Sequence, residues 1–173
     1  MRKYFKTEQL IPCYTEEGRC KWCRSPLLLW SPTLHKAIGK AWALADDLLE
    51  PTRVRYGKSI RVKRCFMCYN KCKKLGLDEA YMRGEVVEIT AVAGMPRKRR
   101  VSGSSTSEAA KPSAKFQVSN GMPDVTREEN LKIAEIIKEL DFDQLVIYPD
   151  HLQVSYKRDG SNRHEVINCI TKE

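Results

Sequence analysis

Two short apolar runs, Leu145 to Tyr148 and Leu152 to Tyr156, are separated by the turn-forming pair Pro149 and Asp150, and they predict two consecutive strands. In the second run Leu152, Val154 and Tyr156 alternate with Gln153 and Ser155, so one face packs while the other looks into a cleft. Helical spacing appears behind Ser31 and Pro32, a cap followed by proline at the first helical position. There Leu34, Ala37, Ile38, Ala41, Ala45, Leu48 and Leu49 recur on one face and predict a helix ending just before Pro51. Thr126 and Glu129 fit a capping box, and Leu131, Ala134, Ile137 and Leu140 predict a second helix leading into the strand pair. Tyr4, Phe5, Thr7 and Glu8 read as the start of a short helix with Thr7 as its cap. Ser59 to Val62, after the turn at Tyr56 and Gly57, and Glu85 to Val92 are β-rich runs.

Two stretches carry no such period. Residues 13–30 hold Cys13, Cys20 and Cys23 with Gly18 and Pro26, and read as a loop held by something other than regular backbone pairing. Residues 93–124 open on Met-Pro-Arg-Lys-Arg-Arg and continue in Ser, Gly, Thr, Ala, Lys and Pro. Too few large apolar side chains remain there to offset the entropy of ordering, which predicts a flexible insertion, with Arg97 to Arg100 a solvated basic run. The expected architecture is α+β: one domain over residues 1–173, with helices packed on a small antiparallel sheet.

Composition fits one domain, since 173 residues at 42% hydrophobic content bury one ordinary core. A net charge of +9 favours polyanions, whether nucleic acid, an anionic membrane surface or a cell-wall polymer, although scattered lysines and arginines serve solubility equally well. No run approaches the ~18 apolar residues of a membrane span, and Met1 to Thr7 lacks the apolar core of a signal peptide. The expected location is a bacterial or phage-infected cytoplasm. There, seven cysteines are reduced or metal-bound rather than paired.

The cysteines suggest a structural metal. Cys20-x2-Cys23 and Cys65-x2-Cys68 are two knuckle-like pairs, and four thiolates close a tetrahedral zinc site. Cys13 or Cys72 are the substitutes, and Cys169 reads as a core or free thiol. Lys21, Trp22, Arg24, Lys71, Lys73 and Lys74 would surround such a clip, and Trp22 and Tyr69 interleave with lysines as in surfaces that stack nucleic-acid bases.

The block Phe142-Asp143-Gln144-Leu145, followed by His151 to Tyr156 and then Asn162-Arg163, resembles the last motif of the zinc D-Ala-D-Ala carboxypeptidases. These are peptidoglycan peptidases of the VanX and VanY type, including phage and Bacteroidetes members, and their block reads F-D-Q-L-I, W-[IV]-H-V-S-Y and N-R. Tyr4 to Leu10 is similar to the family's F-[ST]-x-x-E-L, and Leu48 to Arg53 with Tyr56 to Val62 to its L-x-P-[LI]-R-x-x-[YW]-G-K-P-I-x-[VI]. Arg64 to Met67 stands at S-G-[FY]-R, and Glu79 to Glu88 at the zinc-binding S-x-H-x-x-G-x-A-x-D, with Gly84 retained.

The resemblance implies the carboxypeptidase fold, which hedgehog-like domains share, and it places the family's three zinc ligands at Tyr81, Glu88 and Gln153 and its substrate-binding arginine at Met67. Asp150 and His151 lie near the family's acidic base. A neutral phenol and an amide are poor zinc donors, and one carboxylate does not hold the ion. The expectation is a catalytically degenerate homologue without catalytic zinc, retained for binding a peptidoglycan-derived peptide or a protein or for a structural role, in a phage or prophage setting. The alternatives are an active zinc peptidase with rearranged ligands and a basic zinc-clip protein that binds nucleic acid.

Overall fold

The computed structural model describes residues 4–12, 20, 32–92 and 122–170. They form one five-stranded mixed sheet with helices against it: α1 (Thr7–Leu10), α2 (Pro32–Leu44), α3 (Glu50–Tyr56), β1 (Ile60–Arg64), α4 (Tyr69–Leu75), β2 (Val86–Ala91), α5 (Met122–Lys138), β3 (Gln144–Ile147), β4 (Leu152–Ser155) and β5 (Glu165–Asn168). The sheet order is β1-β2-β4-β3-β5. Its first four strands are antiparallel, and β5 adds in parallel to β3. No helix among the described residues is long and apolar enough to cross a membrane.

Alternation sets what each face does. Ile60, Val87, Ile89, Leu145, Ile147, Leu152 and Val154 project from one face into a core with Leu44, Leu48 and Leu49 of the long helix and Ile133, Ala134 and Ile137 of α5. Burying such side chains contributes roughly 1.5–3 kcal/mol each, which fixes the helices on this side. Strands β3 and β4 are the two that the apolar runs predict, joined across Pro149 and Asp150 and paired Leu145 to Val154 and Ile147 to Leu152.

Three expectations are corrected. The helix begun at Pro32 does not stop before Pro51. It passes through one π-helical turn, Ala45–Leu49, and continues as α3 to Tyr56. The Glu50 N–H donates to the Ala45 carbonyl, five residues back. A proline has no N–H to give and its ring crowds the carbonyl four residues earlier, so a wider turn just ahead of Pro51 lets the helix pass it. Gly57, at φ +73, then ends α3, its N–H bonded to the Arg53 carbonyl.

Helix α5 starts at Met122, inside the stretch assigned to the insertion, so Thr126 is not its cap. Glu129 lies within the helix instead, its side chain largely covered and accepting hydrogen bonds from Tyr56 Oη, Lys58 Nζ and Lys132 Nζ. The rest of the insertion, residues 93–121, and the loop residues 13–19 and 21–31 lie outside the described residues.

The sheet is mixed rather than antiparallel because of β5. All four of its residues are exposed, so burial does not hold it. Backbone bonds do, among them Glu165 N–H to the Asp143 carbonyl at 3.0 Å and Cys169 N–H to the Ile147 carbonyl at 2.9 Å. A buried carboxylate adds to them: Asp143 accepts Nε and Nη2 of Arg163 at 2.9 and 3.1 Å, with Lys157 Nζ at 3.2 Å. Asn162 bonds Asp141 and the backbone of Lys157. Phe142-Asp143 and Asn162-Arg163 are therefore the pin that attaches the edge strand.

The Arg163 and Lys157 cations hold the Asp143 carboxyl well down, from its ordinary 3.8 to about 2. A folded-state value below the unfolded one contributes stability above the unfolded value, and that contribution is lost as pH falls through the folded one. Unfolding in urea should show Asp143→Asn to be less stable than the parent by about 2 kcal/mol at neutral pH. That gap should close between about pH 4 and pH 2. A gap that stays constant with pH would contradict the ion pair.

Candidate functional site on the second face of the sheet

β2 is buried on both sides. Val87, Ile89 and Ala91 face the core, while Val86, Glu88 and Thr90 face the opposite way and are buried as well. Something covers this second face at β2, and much of the cover comes from the segment between β1 and β2. There α4 ends at Gly76 in a left-handed cap, and Asp78 accepts the Ala80 N–H to start a single 3-10 turn, Glu79–Tyr81. That turn lays the Tyr81 ring over the face, in a second apolar cluster with Met67, Cys72 and Val86.

At the centre of the face stands Glu88, only 4% exposed. Gln153 of β4 is its cross-strand partner on one side and Arg64 of β1 on the other. Plain alternation in β1 would put Lys63 opposite Glu88. The register shifts between Val62 and Arg64, so the bulge brings Arg64 there and turns Lys63 to Asp150, at 2.5 Å.

One carboxylate oxygen of Glu88 takes both neighbours, the Tyr81 hydroxyl at 2.6 Å and Arg64 Nη1 at 3.0 Å. Burial, then the hydrogen bond to Glu88, pushes the Tyr81 phenol well above its ordinary 10, so it remains a neutral donor. The arrangement is a buried acid satisfied by a hydroxyl and a half-exposed guanidinium.

The remaining expected residues lie around it. Met67 is buried, its N–H donating to the Tyr81 carbonyl, so an apolar side chain packs where the resemblance places a substrate-binding arginine. Asp150 is held at about 2 by Lys63 and then by His151, whose Nδ1 is 2.6 Å from it. His151 stacks on Tyr148, ring centroids 4.5 Å apart, just before β4 begins. The structure thus brings Tyr81, Glu88 and Gln153 together, with Asp150 and His151 paired to each other beside the bulge.

These residues do not fit a catalytic zinc. The carboxylate oxygen nearest Tyr81 already accepts two hydrogen bonds, the phenol is kept protonated, Gln153 offers an amide, and a guanidinium 3.0 Å from Glu88 repels a cation. Chemically the set can accept a hydrogen bond at Gln153 and present the open side of Arg64 to an anion. Arg64 is the residue the sequence reading missed. The signal was the broken alternation in Arg61-Val62-Lys63-Arg64, where two cations succeed each other.

The thiols form a separate group. Cys20 and Cys68, 48 positions apart, have Sγ atoms 3.4 Å from each other. Cys65 is buried, and burial pushes its thiol up to about 12. Cys72 is also buried, its thiol directed at the Met67 carbonyl and raised by burial and then by Asp78. Cys169 is exposed, and Cys13 and Cys23 lie outside the described residues. Among the described residues no group of three or more His, Cys, Asp or Glu is placed to hold a metal ion. Beyond the cysteines, α4 carries an exposed Tyr69 with Lys73 over its ring at 6.0 Å. Comparison with family models, with curated proteins and with solved structures gives no match to this chain.

Proposed function

We propose that this chain is a catalytically degenerate homologue of the zinc D-Ala-D-Ala carboxypeptidases, kept as a binding or structural module in a phage or prophage setting. One observation carries the reading. Of the three positions that the resemblance assigns to zinc, Glu88 and Gln153 are neighbours on one sheet face and Tyr81 is laid over it, and what occupies them is a hydrogen-bonded Tyr81–Glu88–Arg64 network beside Gln153. Convergence of those positions is what a common scaffold requires, and a neutral phenol, an amide and a competing guanidinium are what lost metal chemistry leaves. The carboxypeptidase fold itself and the cytoplasmic location are parts of the same proposal. The ligand would be a peptidoglycan-derived peptide or a protein that meets Arg64 and Gln153.

A structural zinc belongs to the proposal as well, held by thiolates from the two knuckle pairs. The Cys20–Cys68 contact supports it, since it joins one member of each pair across 48 residues. Metal analysis of the purified chain, together with incubation with peptidoglycan stem peptides and added zinc, tests both parts. The expected outcome is no release of D-alanine, with about one zinc per chain that is lost in Cys20→Ser and Cys68→Ser. Chelator-sensitive release of D-alanine would overturn the degenerate reading, and a zinc lost with Glu88→Ala but kept in the cysteine variants would move the metal to the sheet. A nucleic-acid role would appear as DNA affinity that falls steeply with salt and with Lys73→Ala.

A further inference from the structure

A cavity of about 600 Å³ opens between the first half of α2 and the chain that follows β4, lined by Lys36, Gly39 and Lys40 on the helix, by Glu85, and by Tyr156 to Asp159 with Ser161. It is distinct from the Glu88 face, and nothing in the proposed function uses it. Volumes of roughly 300–1,000 Å³ are typical of small-ligand sites.

Its charge is uneven once internal pairs are set aside. Glu85 is held by Lys40 and Arg83. Asp159 accepts the N–H and hydroxyl of Ser161 within its own loop. Lys157 reaches Asp143. Lys36 and Arg158 have no ion-pair partner among the described residues, and Glu85 is neutralised by its cations; Asp159 keeps its charge, so the rim remains positive on balance.

Gly39 supplies the independent observation. A glycine inside a helix costs about 1 kcal/mol relative to alanine. Here neither the backbone nor packing demands it: no left-handed conformation is recorded at Gly39, and a Cβ added there would meet nothing within 4 Å. What its missing side chain does is keep the wall open between Lys36 and Lys40, beside Tyr156.

We propose that this cavity binds a phosphate ester of nucleotide size, the phosphate meeting Lys36 and Arg158 and the organic body lying over Gly39 against Tyr156. The phosphate could belong to a free nucleotide or to the end of a nucleic-acid strand. A volume close to that of one small ligand favours the former.

Calorimetric titration of the full chain with ADP at low salt, beside adenosine and a single-stranded oligonucleotide, tests it. ADP should bind, adenosine at least tenfold more weakly, and the oligonucleotide no better than ADP. Gly39→Leu, whose Cβ would meet nothing within 4 Å and whose remaining side chain would enter the cavity, should weaken ADP at least tenfold. The double variant Lys36→Ala/Arg158→Ala, whose two sites are exposed, should do the same and keeps the test open if Gly39→Leu fails to fold. Absence of ADP binding to the parent, or ADP affinity unchanged in a folded variant, overturns the proposal. Oligonucleotide binding stronger than ADP and indifferent to Gly39→Leu also overturns it, and places the phosphate contact elsewhere on the surface.

Discussion

Gly84→Ala should be the most damaging single-methyl change in the described structure, lowering the unfolding midpoint by roughly 6–15 °C for a chain of this size. Two costs coincide at this position. Gly84 has φ +69, a conformation that costs a residue with a Cβ about 1–2 kcal/mol. A Cβ built there would also overlap the Ala37 carbonyl oxygen and come within 3.1 Å of the Ala41 nitrogen. Both are backbone atoms of α2, so no side chain can move aside, and helix and loop would have to separate.

Overpacking of this kind adds roughly 1–3 kcal/mol or more. Gly57 isolates the first cost, since it has φ +73 and its added Cβ would meet nothing within 4 Å. Gly57→Ala should therefore lose only the conformational part. Thermal unfolding of the two variants side by side decides the matter, and equal losses would mean that the close approach of α2 to Gly84 is not real.

Rebuilding the three ligand positions should raise the affinity of the sheet face for zinc. The variant Tyr81→His/Glu88→Asp/Gln153→His places two imidazoles and a carboxylate where the resemblance puts the family's donors, a ligand number adequate for a catalytic site. Arg64 stays a rival for the new carboxylate, so adding Arg64→Ser should strengthen binding further. We expect zinc affinity to rise at least 1,000-fold in the fourfold variant and by less in the threefold one, as read by competition with a chromophoric chelator in the Cys20→Ser/Cys68→Ser background. A folded fourfold variant with no gain in zinc would count against descent from a zinc enzyme while leaving the cavity proposal untouched.

Much of the framework was legible because it rests on period and punctuation. The apolar run Leu145 to Ile147 and the alternating run Leu152 to Val154 flank a Pro-Asp turn, and the pairing followed. What stayed hidden depends on partners far away in sequence. β5 is exposed at every residue and has no apolar rhythm of its own, so only Asp143 reaching Arg163 and the backbone of β3 reveal it. Gly84 reads as an ordinary loop glycine until α2 is laid against it. The site was legible by position, since Tyr81, Glu88 and Gln153 do meet, but not by chemistry, because the bulge that delivers Arg64 is a matter of register. Pro51 misled because a breaker was expected to break, and a π turn absorbed it instead.

That turn has one more effect. An additional residue in a helix advances every later side chain by about 100° around the axis. Before it, the rod presents Ala37 and Ala41 to Gly84 and Lys36 and Lys40 to the cavity. Beyond it, Arg55 addresses Glu139, just past the end of α5, and Tyr56 addresses Glu129 on it. A single rod thus keeps two angular settings, each keyed to a different neighbour, and one residue more or less at Ala45–Leu49 would put one setting out of step with the other.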